Sequence, residues 1–120
     1  MPMDSSYISE LLRPYRVSLQ FTEKAKQDFQ SYHRDQQRLI LAMLVKQGQR
    51  DPRLRPNGNG IPLYGELQGF AKIKSKSLSL RIVYRPLETE QETVMQVFAI
   101  GPRDHDEVYK RAIKRVRDVK

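Results

Sequence analysis

The stretch Lys72-Ile-Lys-Ser-Lys-Ser-Leu-Ser-Leu-Arg-Ile-Val-Tyr84 decides how this chain folds. Lys72 and Lys74 flank one isoleucine, and residues two apart on a strand point to the same side, so Ile73 faces a core and both lysines face away. The run from Leu78 to Tyr84 alternates in the same way, with Arg81 between Leu80 and Ile82. The two runs read as one antiparallel hairpin whose polar face gathers three cations. Such a face suits a polyanion.

Working outward from the hairpin, Tyr15 to Phe21 alternates apolar and polar residues as a half-buried strand does. Thr22 and Glu23 then open a helix to about Arg34, with Ala25, Phe29 and Tyr32 on its inner stripe. Asp35 is expected to cap a second helix with Leu39, Ile40, Met43 and Leu44 inward, stopped near Gly48. The turn-rich segment from Arg50 to Pro62 reads as a long surface loop. Beyond the hairpin, Val94 to Ile100 is apolar at nearly every position, as in a central strand buried on both faces. Asp104 with Glu107 has the form of a capping box for a last helix whose inner face is Val108, Ala112, Ile113 and Val116. The predicted order is βααβββα, an α+β fold in which a small, mostly antiparallel sheet packs against an N-terminal helical hairpin, with a C-terminal helix. Residues 1–14 read as an N-terminal extension holding at most a short helical turn before Pro14. Residues 15–120 then form one domain.

Composition narrows the function classes. The chain has no cysteine, which removes disulfides, thiolate nucleophiles and zinc-thiolate sites and fits a reducing compartment, so a cytoplasmic location is expected. No run approaches the roughly 18 apolar residues of a membrane span, and no membrane partner is expected. The formal charge of +8 favours phosphate backbones or an acidic protein partner. His33 and His105 lack the spacing of a metal or triad site. Asn57-Gly-Asn-Gly60 lacks the Gly-Lys-Ser/Thr ending of a phosphate loop. The basic residues Lys110, Arg111, Lys114, Arg115 and Arg117 read as a solvated face near a helix C-terminus.

Five short motifs occur in order: Leu63-Tyr-Gly-Glu-Leu, Lys72-Ile-Lys74, Leu80-Arg-Ile-Val-Tyr84, Ala99-Ile-Gly-Pro-Arg103 and Glu107-Val-Tyr109. Together they resemble the RelE/ParE superfamily of type II toxin-antitoxin toxins, over about Tyr15 to Val116. The RelE-like branch of that family implies a ribosome-dependent endoribonuclease that cuts messenger RNA in the ribosomal A site without a cofactor. It also implies a cognate antitoxin as partner. The ParE-like branch, which poisons DNA gyrase, and an inactive relative that only binds nucleic acid or antitoxin are the alternatives. By position in the motifs, Lys72, Lys74, Arg81, Arg103 and Tyr109 match the RNA-binding and cleavage residues of RelE-like toxins. Pro102 and His105 depart from the pattern, each standing where a basic residue is common.

Metal-free RNA cleavage needs a base for the 2′-hydroxyl, charge stabilisation at phosphorus and a proton for the 5′-oxygen. An ordinary lysine is neutral in only about one molecule in a few thousand at pH 7. Crowded cations disfavour one another's charge and lower a lysine pKa, whereas arginine stays protonated. Lys74 is therefore expected as base or proton relay with Lys72 assisting, and Arg81 as the phosphate brace. The resemblance places Arg103 at the leaving group. Tyr109 would stack on a base or hydrogen-bond the phosphate, although its helical spacing to Ile113 equally fits a core aromatic.

Overall fold

A computed structural model describes residues 5–119, with side chains from Tyr7 to Asp118. In chain order the elements are α1 (Ser5–Leu12), β1 (Val17–Phe21), α2 (Glu23–Gln30), α3 (Arg34–Gly48), β2 (Ile61–Pro62), β3 (Ala71–Ser75), β4 (Leu80–Glu88), β5 (Thr93–Pro102) and α4 (Glu107–Val119). The strands form one sheet in the order β1-β5-β4-β3-β2, in which β1 and β5 are parallel and the other pairs antiparallel. The expected α+β class holds. The expected order is corrected by two further elements, α1 at the front and the two-residue β2 inside the long loop.

The hairpin alternation sets the two faces of the sheet. Ile73 pairs with Ile82 and Lys74 with Arg81. Ile73, Leu80, Ile82, Tyr84, Met95, Val97 and Ile100 share a core with Ile8 and Leu12 of α1 and Ile40, Leu41, Leu44 and Val45 of α3. On the other face Val83, Phe98 and Ala99 pack with Phe70, Leu67 and the α4 residues Val108 and Ala112. The β4–β5 register shifts between Val83, which opposes Ala99, and Tyr84, which opposes Val97. Phe98 is thus the additional residue of a bulge, and it joins Ala99 in facing α4. The cation-bearing face is consequently not polar throughout, because α4 covers fully buried Val83.

Local hydrogen bonds explain where the helices stop. The Gln37 side-chain amide donates to the carbonyls of Phe29 and Tyr32 at 3.1 and 3.0 Å, and the Ser31 hydroxyl donates to that of Asp28 at 2.6 Å. These partners satisfy the last carbonyls of α2, which ends at Gln30 and not near Arg34. Asp35 does not cap α3. His33 takes that place, its backbone N–H donating to Gln36 Oε1 at 3.2 Å. The proposed capping box of Asp104 and Glu107 is absent too: Asp104–Asp106 is a 3-10 turn with His105 and Asp106 at φ +55°, and α4 begins after it.

The segment before Pro14 is more than a turn. Ile8 and Leu12, four apart on α1, are buried, Leu12 completely. A Cβ on Gly48 would lie 2.6 Å from Leu12 Cδ2, so the absence of a side chain there lets α1 and α3 approach. Residues 1–4 lie outside the described residues. The loop after α3 is also tied inward, since fully buried Tyr84 donates its hydroxyl to the carbonyl of Pro52 at 2.8 Å.

Strand β1 ends at Phe21, opposite Val97, but β5 runs on. Side chains replace the missing strand. Asp28 of α2 accepts from the Ile100 N–H at 3.0 Å, Arg115 donates to the Phe98 carbonyl at 3.1 Å, and Arg111 donates to the Ile100 carbonyl at 2.6 Å. Arg115 grips the same carboxylate with two bonds of 2.6 and 2.8 Å, and Arg111 lies 3.3 Å from it. Arg111 and Arg115 are therefore not part of a solvated face but the clasp that fixes α4. Arg117, exposed like Lys110 and Lys114, pairs with Glu66, which leaves those two lysines as the cations of that series with no ion pair among the described residues.

Truncating Leu12 to alanine should cost about 3 kcal/mol by opening a cavity, measured by urea denaturation; a loss under about 0.5 kcal/mol would mean that α1 is an appendage. Asp28→Asn leaves Arg115 without its charge partner and Arg111 with Glu107 alone, and should cost about 3 kcal/mol. Hydrogen exchange should then rise in α4 and at the Phe98–Ile100 amides before it rises elsewhere.

Candidate functional site

Gly101 opposes Arg81 across β4 and β5, and α4 passes directly over it. A Cβ there would meet Arg111 Nη1 at 3.1 Å and Val108 Cβ at 3.3 Å. That close approach brings the first turns of α4 onto the end of the cationic hairpin. Arg103 follows β5 immediately, and its N–H donates to the Ser79 carbonyl at 3.0 Å, which ties it to the β3–β4 turn. The structure thus gathers residues from β3, β4, the end of β5 and α4, which lie far apart in the chain.

The five predicted residues fall into two adjoining groups. Lys72 sits 6.0 Å from the centre of the Tyr109 ring, a cation–π contact. Lys74, Arg81 and Arg103 line a cavity of about 180 Å³ with Ser75, Lys76 and Leu80. Arg81 joins the groups, because its charge acts on Lys72 and Tyr109 as well. No ion pair involves Lys72, Lys74, Lys76, Arg81 or Arg103 among the described residues. Such unpaired convergence raises the energy of the empty site and favours an anionic guest.

The crowding expected from the sequence falls on Lys72. Burial lowers its pKa first, then the charges of Lys74 and Arg81, and Asp106 opposes them. Tyr109 meets both readings of its position. It packs against the α4 core, and its hydroxyl is buried without a hydrogen bond, as is Arg81 Nε. Burial pushes the Tyr109 phenol up, while the Arg81 charge pulls it down. Both groups are shielded from solvent, and although the geometry falls short of a full hydrogen bond, the Arg81 side chain also acts on the Tyr109 phenol as a hydrogen-bond partner.

Asp106 and Lys76 were not foreseen. Asp106 carries the carboxylate whose field reaches both Lys72 and Tyr109, and the left-handed backbone that presents it is tolerated by Asp without a sequence mark. Lys76 does carry a signal, for it continues the two-residue spacing of Lys72 and Lys74 past the end of β3. His105 shares the strained turn but is exposed.

No family model and no curated protein matches the sequence. Solved structures do match. A mutant of the Escherichia coli toxin RelE in the free state is 28% identical, with a TM-score of 0.61 over 81% of this chain and 94% of that one. The isolated E. coli RelE toxin is 26% identical, with a TM-score of 0.57 over 82% and 96%. The RelE mutant in complex with a peptide of the antitoxin RelB is 24% identical and matches in fold, with a TM-score of 0.57 over 81% and 94%. In fold this chain is RelE-like.

Proposed function

We propose that this chain is the toxin of a type II toxin-antitoxin pair, an endoribonuclease that cuts messenger RNA in the ribosomal A site and is restrained by a cognate antitoxin. The observation that carries the reading is the unpaired cluster of Lys72, Lys74, Arg81 and Arg103 beside Tyr109, on a fold similar to that of RelE. The RelE structure that includes an antitoxin peptide supports the partner. Ribosome, messenger RNA and a cytoplasmic location belong to the same proposal, which the likeness to RelE supports. Among the described residues no helix is long and apolar enough to cross a membrane.

In the proposed reaction the 2′-hydroxyl attacks the adjacent phosphorus and the bond to the 5′-oxygen breaks, leaving a cyclic phosphate and a 5′-hydroxyl. Lys72 takes the role of base in place of Lys74, because it is the lysine whose neutral form burial and its neighbours favour. Arg81 braces the negative charge on phosphorus through its donor fork. Arg103 stabilises the leaving oxygen electrostatically, since a guanidinium gives up its proton too reluctantly for a general acid. The proton taken by Lys72 then returns to the 5′-oxygen. Tyr109 supports Lys72 from beneath through the face of its ring.

Expression should arrest growth and produce 5′-hydroxyl ends within translated messages. Lys72→Ala combined with Arg81→Ala should lower cleavage by about 10³-fold or more in a reconstituted translation reaction; wild-type rates in that variant would refute the assignment. A supercoiling assay with gyrase should show no inhibition.

The pH dependence has a definite sign. Cleavage rises with pH while Lys72 loses its proton, and it levels above the Lys72 pKa. Asp106 stabilises the charged lysine, so Asp106→Asn lowers that pKa further and moves the rising limb to lower pH. A limb that stays in place or moves upward would exclude Lys72 as the base.

A further inference from the structure

We propose that the outer side of α4 and the Tyr64 ring form a track for single-stranded RNA, which leads away from the cleavage site and ends where one base stacks on Tyr64. The inference rests on the ribonuclease reading above and adds a flanking contact surface to it. Tyr64 is a motif residue that the cleavage site does not use. It is 79% exposed, more than any other large apolar or aromatic residue in the described part of the chain, and no other ring or cation covers it there.

Backbone geometry explains why the ring points outward. Leu63 packs with Tyr109, Ile113 and Val116 on the Phe70 side of the sheet, and the next residue of an extended chain points the other way. Its position is fixed on both sides: the Leu63 N–H donates to the Phe70 carbonyl at 2.9 Å, and the Leu67 N–H to that of Tyr64 at 3.2 Å. Gly65, at φ +64°, makes the turn between Tyr64 and Leu67. Ile61, three residues before Tyr64, pairs with Lys72, so the ring stands on the segment that borders the proposed base. A rigid, solvated aromatic beside a cleavage site can take any base, because every base has a π face.

Charge supplies the track. Lys110 and Lys114 lie four apart on α4 and Arg117 three further, so the three share one side of the helix. The row starts one residue after Tyr109, and from Tyr109 to Arg117 the helix rises about 12 Å at about 1.5 Å per residue. There Arg117 holds Glu66 with two bonds of 2.8 Å, which matches the carboxylate two residues from Tyr64 and clamps its turn to the helix. Lys110 and Lys114 are exposed and enter no ion pair among the described residues. Two free ammonium groups between a cleavage site and an open ring fit a sugar-phosphate backbone, whose contacts set register without reading sequence. An acidic peptide would match the lysines equally, but Tyr64 favours a ligand with planar groups.

The test is titration of the full chain with an uncleavable, mixed-sequence 2′-deoxy oligonucleotide. The chain has no tryptophan, so Tyr64→Trp adds a single indole, whose fluorescence should be quenched saturably. By anisotropy of the labelled oligonucleotide, Tyr64→Ala should weaken affinity about fivefold or more at an unchanged salt slope, and Tyr64→Phe should bind like the wild type. Lys110→Gln combined with Lys114→Gln should flatten the slope of log affinity against log salt by about 1.4, from two phosphate contacts at about 0.7 each. An unquenched indole, wild-type affinity in Tyr64→Ala, an unchanged slope in the double variant, or equally tight binding of a poly-glutamate peptide would each overturn the track. In the translation reaction Tyr64→Ala should raise KM and leave kcat nearly unaltered. Cleavage by the wild type with neither affinity nor KM changed in Tyr64→Ala sinks the track alone, whereas no cleavage by the wild type sinks the activity on which it rests.

Discussion

Buried backbone groups beyond the end of a neighbouring strand must find partners elsewhere, and the way β5 meets this demand governs the molecule. Beyond Val97 it has no strand on the β1 side, and the Asp28 carboxylate with the Arg111 and Arg115 guanidinium groups supplies the missing bonds. One set of charges does three things at once. It satisfies the β5 edge, joins α2 to α4, and sets the height at which α4 crosses Gly101. Tyr109 lies over Lys72 because that crossing is fixed.

The cationic end of the sheet shows the opposite economy. Around Asp28 the charges are matched and turned inward, whereas Lys72, Lys74, Lys76, Arg81 and Arg103 face one another without matching carboxylates. Asp106 tempers Lys72, from a backbone conformation that a side chain rarely adopts. Strained backbone at Ser79, His105 and Asp106 thus adjoins the unmatched charge, and functional sites commonly store both. The separation of Lys72 and Tyr109 from the cavity of Arg103 follows from the hairpin register: Lys74 faces Arg81 directly, while Lys72 faces Val83 under the helix.

Much of this was legible in the sequence, for reasons that differ by element. The alternation around Ile73 and Ile82 specified both faces of β3 and β4, because period two has one structural meaning, and the unbroken apolar run to Ile100 marked the central strand. The inward turn of Arg111 and Arg115 was not legible, since their spacing equally suits a solvated stripe; only the early end of β1 makes an inward arginine favourable. The first helix escaped notice because its apolar pair, Ile8 and Leu12, is too short a pattern to stand out before α3 is there to receive it. Alternation marked Lys72, Lys74 and Arg81 as one cationic face, and motif resemblance added Arg103 and Tyr109 to the expected site. Lys76 and Asp106 lay outside the motifs, and what distinguishes them is the path of the backbone after β3 and before α4.

The parallel pairing of β1 with β5 also carries a consequence in time. Val17 meets Thr93 only after the whole of the intervening chain has been drawn in, so closing this contact is entropically slow compared with the β3–β4 hairpin. Until it closes, α2 has nowhere to bring Asp28, and Arg111 and Arg115 remain two more loose cations on a mobile helix. The local hairpin is therefore expected to close, and to display its lysines, before the crossing of α4 fixes Tyr109. Contact order alone predicts that the cationic surface precedes the completed cluster.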